Sequence, residues 1–172
     1  IFAMLSDALE AVGIERGDYV VRINKRKVLD AIMESVGLLD LFDPDFKAIE
    51  RGIAMRAIDK LDRLGEGSVE SLLTTGRKDA SGDYSQGAGL DHLQALWVKT
   101  ALMQRHATNA ETLEALKGIL KDSALGLEGL QELQDIADIL EFQGYGPDRI
   151  VIDPSVVRGL GYYTGPVYEA EL

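Results

Sequence analysis

The sequence predicts an α+β fold in which a small sheet, built from the two ends of the chain, is interrupted by an all-helical insertion domain. Runs of β-forming residues occur only near the ends, at 18–23, 149–152 and 167–172. Between Leu38 and Gly144 every strong periodicity is helical and no strand is evident. Gly144-Tyr145-Gly146-Pro147 then breaks the helical pattern before the β signal returns. The expected organisation is helix, strand and helix over 1–37, a helical insertion over 38–145, and two strands around a turn over 146–172.

Phe2, Leu5, Leu9 and Val12 recur at helical spacing and stop at Gly13, which predicts a helix over 2–12. Tyr19, Val20, Val21 and Ile23 make 18–23 a strand. Asn24 is placed to cap a helix carrying Val28, Ala31, Ile32 and Val36, closed by Gly37. Phe46, Ile49, Ile53, Ala57 and Leu61 mark one long helix of the insertion; Leu93, Leu96, Trp97 and Ala101 mark another. Thr108 and Glu111 form a capping box ahead of Leu113, Leu116 and Leu120, and Leu130, Leu133, Ala137 and Leu140 define the last helix. Residues 74–83 read as an exposed loop. Three short strands and two helices bury too little to fold alone, so the sheet is expected to be completed by a longer parent chain. The start on Ile1 in a helix and the stop in a strand agree with that expectation.

Composition narrows the function. With 46% hydrophobic residues the 172-residue chain has the apolar content of a globular protein. The absence of cysteine removes disulfides, thiolate metal sites and a catalytic thiol, and fits a cytoplasmic setting. A net charge of −11 disfavours a general nucleic-acid-binding module. The helical segment holds eleven basic and nineteen acidic residues, a net −8, so any polyanion contact there must come from local clusters such as Arg77-Lys78 or Lys117 and Lys121. No apolar run approaches the ~20 residues of a membrane span, and residues 1–5 lack the form of a signal peptide.

The candidate site lies at the far end, in Val157-Arg158-Gly159-Leu160-Gly161-Tyr162-Tyr163-Thr164-Gly165-Pro166. Glycines and a proline make a corner that displays Arg158 and two tyrosines. Two readings of Arg158 are open: its planar fork can take a phosphate or carboxylate, or it can pair structurally with Asp153 or Glu169. Adjacent Tyr162 and Tyr163 point to opposite sides of an extended chain, so one can line a pocket while the other packs, or both can cover a half-exposed sheet. Gly159 and Gly161 do not make a dinucleotide loop, because no helix follows. Arg22, Lys25, Arg26 and Lys27 form the densest basic cluster, able to meet phosphates or to be a solvated helix start. His92 and His106 lack metal-ligand spacing, no metal site is expected, and Trp97 reads as core.

The stretch from Val157 to Glu169 resembles the histidine-specific signature of histidyl-tRNA synthetases, usually V-R-G-L-D-Y-Y-T-G-x-V-F-E. The segment from Tyr19 to Leu29, with Ile23-Asn24-Lys25-Arg26, is similar to the family's I-N-x-R stretch after class II motif two, and the family carries a helical insertion between the two. The resemblance covers the whole chain and implies part of a class II synthetase antiparallel sheet. It implies that Arg158 contacts the histidine carboxylate and the ATP α-phosphate and stabilises the transition state, and that Tyr162 and Tyr163 line the imidazole pocket. It also implies L-histidine, ATP with Mg2+ and tRNA(His) as substrates, and a homodimer. Motifs one, two and three, the ATP-holding arginines and the anticodon-binding domain are expected outside these residues, so the segment alone should not aminoacylate. Gly161 departs from the usual aspartate and Tyr168 from phenylalanine; the first puts any role of that acid in doubt. The alternatives are the synthetase-like regulatory subunit of ATP phosphoribosyltransferase, and a helical interaction module with an incidental motif.

Overall fold

A computed structural model describes residues 1–158 and 163–172. Helix α1 (Phe2–Ala11) is closed by Gly13, whose φ of 95° a side chain would resist. Strand β1 (Val20–Lys25) starts and ends two residues later than the run of β-formers predicts. The cause is pairing: Asn24 and Lys25 lie opposite Val167 and Pro166, which draws both into the ladder. Helix α2 (Arg26–Ser35) follows at once with Lys25 at its N-cap, so Asn24 is a strand residue and not the cap expected.

β1 is the middle strand of three. On one side it pairs in parallel with β4 (Ile150–Ile152), and on the other antiparallel with β5 (Pro166–Glu171). The sheet is therefore mixed and not simply antiparallel. Parallel neighbours need a long crossover, which the helical segment between β1 and β4 provides. Alternation along β1 puts Val21 and Ile23, both fully buried, on one face and Arg22 and Asn24 on the other. Helix α8 (Ala124–Phe142) packs against β1 and α2, with Leu130, Leu133, Ala137 and Leu140 buried as their spacing predicts.

Between these layers the sequence expectation needs three corrections. The long helix expected from Phe46 to Leu61 is divided into α3 (Ala48–Ile58) and the single turn α4 (Leu61–Leu64), followed by α5 (Glu66–Leu73). Ile49 is exposed, and Ala54, Met55, Ala57 and Ile58 form the buried face. In α6 (His92–Leu102), likewise, Leu93 and Leu96 are exposed while Ala95, Val98, Ala101 and Leu102 are buried; Trp97 is half-buried against the core. Apolar residues lie nearly all round both helices, so packing and not periodicity selects the inner face. Third, the region is not all-helical. The expected loop at 74–83 contributes to a hairpin of β2 (Gly76–Lys78) and β3 (Tyr84–Gln86). Its turn is closed by the Asp79 carboxylate, which accepts from the Ser81 and Asp83 amides at 2.9 and 3.0 Å. Helix α7 (Asn109–Ile119) has the predicted box, Glu111 N donating to Thr108 Oγ1 and Thr108 N to Glu111 Oε2.

One hydrophobic cluster runs from Tyr19 to Val157 and includes residues of the helical region and of the sheet. Helix α1 is tied to it by the buried Arg149, whose Nη2 lies 3.0 Å from both Asp7 and Glu10 and whose guanidinium stacks 4.1 Å from the Tyr145 ring centre. The seam of α2 and α8 is closer. A Cβ at Gly129 would stand 2.8 Å from Lys27 Cβ and 3.1 Å from the Val28 amide nitrogen. Beside it Glu132 accepts from Lys25 and Lys27, and these hydrogen bonds hold its carboxyl below the ordinary 4.5.

Gly129→Ala should destabilise the protein by about 1 kcal/mol in urea unfolding, because an overpacking cost of ~1–3 kcal/mol exceeds the ~1 kcal/mol helix-propensity gain. Gly118→Ala on α7, where an added Cβ meets nothing within 4 Å, should instead be neutral or stabilising. Because the Glu132 value is lowered on folding, its contribution is complete above pH 4.5 and is lost as pH falls through the lower folded value. Unfolding midpoints followed into that range should fall less steeply in Glu132→Gln than in the parent.

Candidate functional site

The polar face of β1 organises the candidate site. Asn24, fully buried, donates from Nδ2 to the carbonyls of Pro154 (3.0 Å) and Val156 (3.2 Å), while its Oδ1 accepts from the Lys25 amide at 2.8 Å. The Asp153 amide donates to Ile23 O at 2.9 Å. The backbone after β4 is thereby held against β1, and Val156 and Val157 bury their side chains. Arg158 emerges from this fixed base with its side chain 50% exposed.

Its guanidinium is divided between two carboxylates. Nε and Nη2 approach Glu169 Oε2 at 2.6 and 2.5 Å, and Nη1 donates to Asp59 Oδ1 at 3.1 Å. Glu169 lies directly opposite Arg22 in the ladder, and its second oxygen is 3.4 Å from Arg22 Nη2. Of the two structural partners considered from sequence, Glu169 is the one Arg158 meets, while Asp153 belongs to Arg22 and Arg105. Asp59 comes from the end of α3, so the corner is joined to the helical region.

Arg22 is buried, with Asp153 at 3.0 Å, Asp62 at 3.3 Å, Glu171 at 3.4 Å and a hydrogen bond to Ser155 Oγ at 2.9 Å. Burial alone would lower its pKa, but the fields of Asp153, Asp62, Glu169 and Glu171 outweigh burial and raise it above the ordinary value. Arg105 joins the group at 3.4 Å from Asp153 and 3.5 Å from Glu171. The cluster lines a cleft of about 410 Å³ with Leu61, Leu102 and Met103 as its apolar wall. It can orient an ion or a dipole, but its own acids already match its arginines.

A second cleft, about 310 Å³, lies in the helical region between α4 and the hairpin, lined by Lys60, Arg63, Leu64, Leu72, Arg77, Asp79 and Ser85. Asp79 is engaged by its own turn, and the acid nearest Arg63 is Asp59 at 3.9 Å. Among the described residues Lys60 and Arg77 meet no acidic side chain. The densest basic cluster of the sequence is used differently: Arg22 is buried among acids, Lys25 and Lys27 pair with Glu132, and Arg26 pairs with Asp30 at 2.9 Å.

Tyr162, Gly159 and Gly161 lie outside the described residues; Tyr163 is half-exposed beside the corner. His92 Nδ1 contacts Glu70 at 3.1 Å, and His106 Nε2 lies 3.2 Å from Gln104 Oε1. Among the described residues no group of three or more histidines and acids is arranged to hold a metal ion. Sequence reasoning missed Asp59, Asp62, Asp153 and Arg105 as members of one network with Arg22, and missed the Asn24 clamp. The two-residue spacing of Arg22 and Asn24, and of Glu169 and Glu171, is the signal that could have placed Asn24 on the charged sheet face; no local signal marks Asp59, Asp62 or Arg105.

No protein-family model matches the chain. Over all 172 residues it is 61% identical to a histidine–tRNA ligase of Cereibacter sphaeroides and 58% identical to one of Jannaschia sp.. It spans only 35% and 33% of those proteins, about a third of their length. A crystal structure of histidyl-tRNA synthetase from Nostoc sp. PCC 7120 superposes on 98% of the chain with a TM-score of 0.77 and 27% identity, the chain covering 35% of it. A Bacillus halodurans structure described as an ATP phosphoribosyltransferase regulatory subunit/histidyl-tRNA synthetase shares the fold at a TM-score of 0.70 and 17% identity, the chain covering 38% of it. With identity this high over its whole length, the chain is similar throughout to a segment of histidine–tRNA ligases, about a third as long as these relatives.

Proposed function

We propose that this segment forms part of the catalytic domain of a histidine–tRNA ligase, which activates L-histidine with ATP to histidyl-adenylate and transfers it to tRNA(His). The observation that carries the reading is Arg158: a half-exposed guanidinium on a base fixed by Asn24, within the stretch that resembles the family's histidine signature. In this reading its fork meets the histidine carboxylate and the ATP α-phosphate. It offsets the negative charge that grows as the carboxylate oxygen attacks phosphorus and pyrophosphate leaves. Tyr162 and Tyr163 line the imidazole pocket, where a wrong side chain leaves buried polar groups unpaired. Mg2+ enters with ATP as part of that substrate, and no described residue is assigned to it.

The division into 1–37, 38–145 and 146–172 is part of the same proposal. All three strands of the main sheet come from the outer parts, and the stretch between is helical apart from its hairpin. The middle part would close over tRNA, and in the cleft that Arg63 also lines, Lys60 and Arg77 supply uncommitted cations for its phosphates. A homodimer in the cytoplasm completes the reading. The regulatory-subunit alternative is weaker, because its likeness at 17% identity bears on fold alone. Arg158 also favours the ligase, since a regulatory relative has no phosphoryl chemistry to keep an arginine for.

In the full-length enzyme Arg158→Ala should lower histidine-dependent pyrophosphate exchange by about a hundredfold or more while histidine binding changes less. A loss confined to KM would remove the transition-state role. Replacing Lys60 and Arg77 together by glutamate should reduce tRNA charging about tenfold more than pyrophosphate exchange, with a shallower salt dependence of tRNA KM. Equal damage to both reactions would count against the cleft as a phosphate surface.

A further inference from the structure

The two carboxylates on Arg158 are built differently. Glu169 projects from β5 with its side chain only 16% exposed, and its second oxygen leans on Arg22, which Asp153 and Ser155 fix in turn. It occupies the Nε and Nη2 edge of the guanidinium through short, charge-assisted contacts. Asp59 makes one contact, at 3.1 Å, to the remaining nitrogen Nη1. It sits at the C-cap of α3, where the helix dipole disfavours an anion. It also has a second cation in reach, since Arg63 Nη2 is 3.9 Å away on the next turn.

We propose that Glu169 is the positioning residue that aims Arg158, and that Asp59 is a placeholder carboxylate which the carboxylate of the amino-acid substrate displaces from Nη1. The inference rests on the reading of Arg158 as a substrate ligand and adds to it the two groups that control its fork. A substrate carboxylate at Nη1 would lie against Asp59 and be repelled unless Asp59 withdraws. Rotation toward Arg63 relieves that repulsion and keeps the acid paired. Because Arg63 lines the basic cleft, occupancy of the amino-acid site is thereby linked to the charge presented by that cleft. No covalent step is involved; one ion pair is exchanged for another.

The test uses the full-length enzyme and two ligands, L-histidine and L-histidinol, which has the same imidazole and amine but no carboxylate. Binding of each is measured by calorimetry to the parent, Asp59→Asn and Glu169→Gln. Asp59→Asn should tighten L-histidine about two- to fivefold, the factor that a partly exposed ion pair supplies, and leave L-histidinol unchanged. Glu169→Gln should weaken L-histidine about tenfold through loss of a charge-assisted bond, again with L-histidinol unchanged. Parallel shifts of both ligands in either variant would mean a merely structural role and overturn the assignment of that residue. Weaker L-histidine binding in Asp59→Asn would overturn the placeholder. If Glu169→Gln fails to fold, the near-isosteric Asp59→Asn at the C-cap of α3 still decides the exchange. A parent enzyme that binds neither ligand would overturn the reading of the site itself, an outcome distinct from all of these.

Discussion

Burying the guanidinium of Arg22 on the middle strand is the constraint on which the rest of the arrangement depends. A cation taken out of water is costly unless its partners are fixed, and here they come from three places in the chain: Asp62 in α4, Asp153 after β4, and Glu169 and Glu171 on β5. Such a cluster adds little net stability over an apolar core, yet removing one member strands the others, at a typical cost of about 3–5 kcal/mol for a buried pair. Its effect is to specify register. If β5 slipped by one residue, Glu169 and Glu171 would turn to the other face and leave Arg22 unmatched. The same register sets Glu169 beside Arg158, so the candidate catalytic arginine is aimed by a group whose own place is set by Arg22.

The acidity of the chain has a related explanation. Many of its cations are matched internally: Lys25 and Lys27 by Glu132, Lys99 by Glu70, Arg149 by Asp7 and Glu10, Arg105 by Asp153 and Glu171. These pairs join elements distant in sequence, as Lys27 of α2 does with Glu128 and Glu132 of α8. A net charge of −11 therefore says little about where a polyanion could sit. What matters is which cations are left uncommitted, and Lys60 and Arg77 share one cleft with Arg63.

Features decided within a few residues were legible in the sequence. The Thr108–Glu111 box, the Leu130–Leu133–Ala137–Leu140 stripe and the stop at Gly13 each depend on local backbone chemistry and appear as read. Asn24 shows the opposite case. Its residue type suits a helix cap, but β5 pairing extends the strand through it, and its amide is used by carbonyls 130 and 132 residues away. Leu93 and Ile49 mark their helices by spacing, yet both face out, since helices apolar nearly all round have no inner face until neighbours choose one. The site was legible as an arginine at a glycine-rich corner. Asp59 and Asp62 were not, because only tertiary packing brings the end of α3 and the turn of α4 to the sheet.

An arginine already held by two carboxylates behaves differently from a bare one. A bare guanidinium on an exposed corner would attract any small anion, whereas one matched in advance yields only to a ligand that offers more than the group it replaces. The excess negative charge around the corner raises that threshold for every anion equally. Discrimination must then come from contacts that only the right ligand makes in addition to the exchanged ion pair, and on the proposed reading the imidazole pocket supplies them. The acidic surroundings of Arg158 thus fit the proposed reading of a substrate-binding arginine, in which Glu169 supplies direction, Asp59 sets the threshold, and the buried Arg22 keeps Glu169 in register.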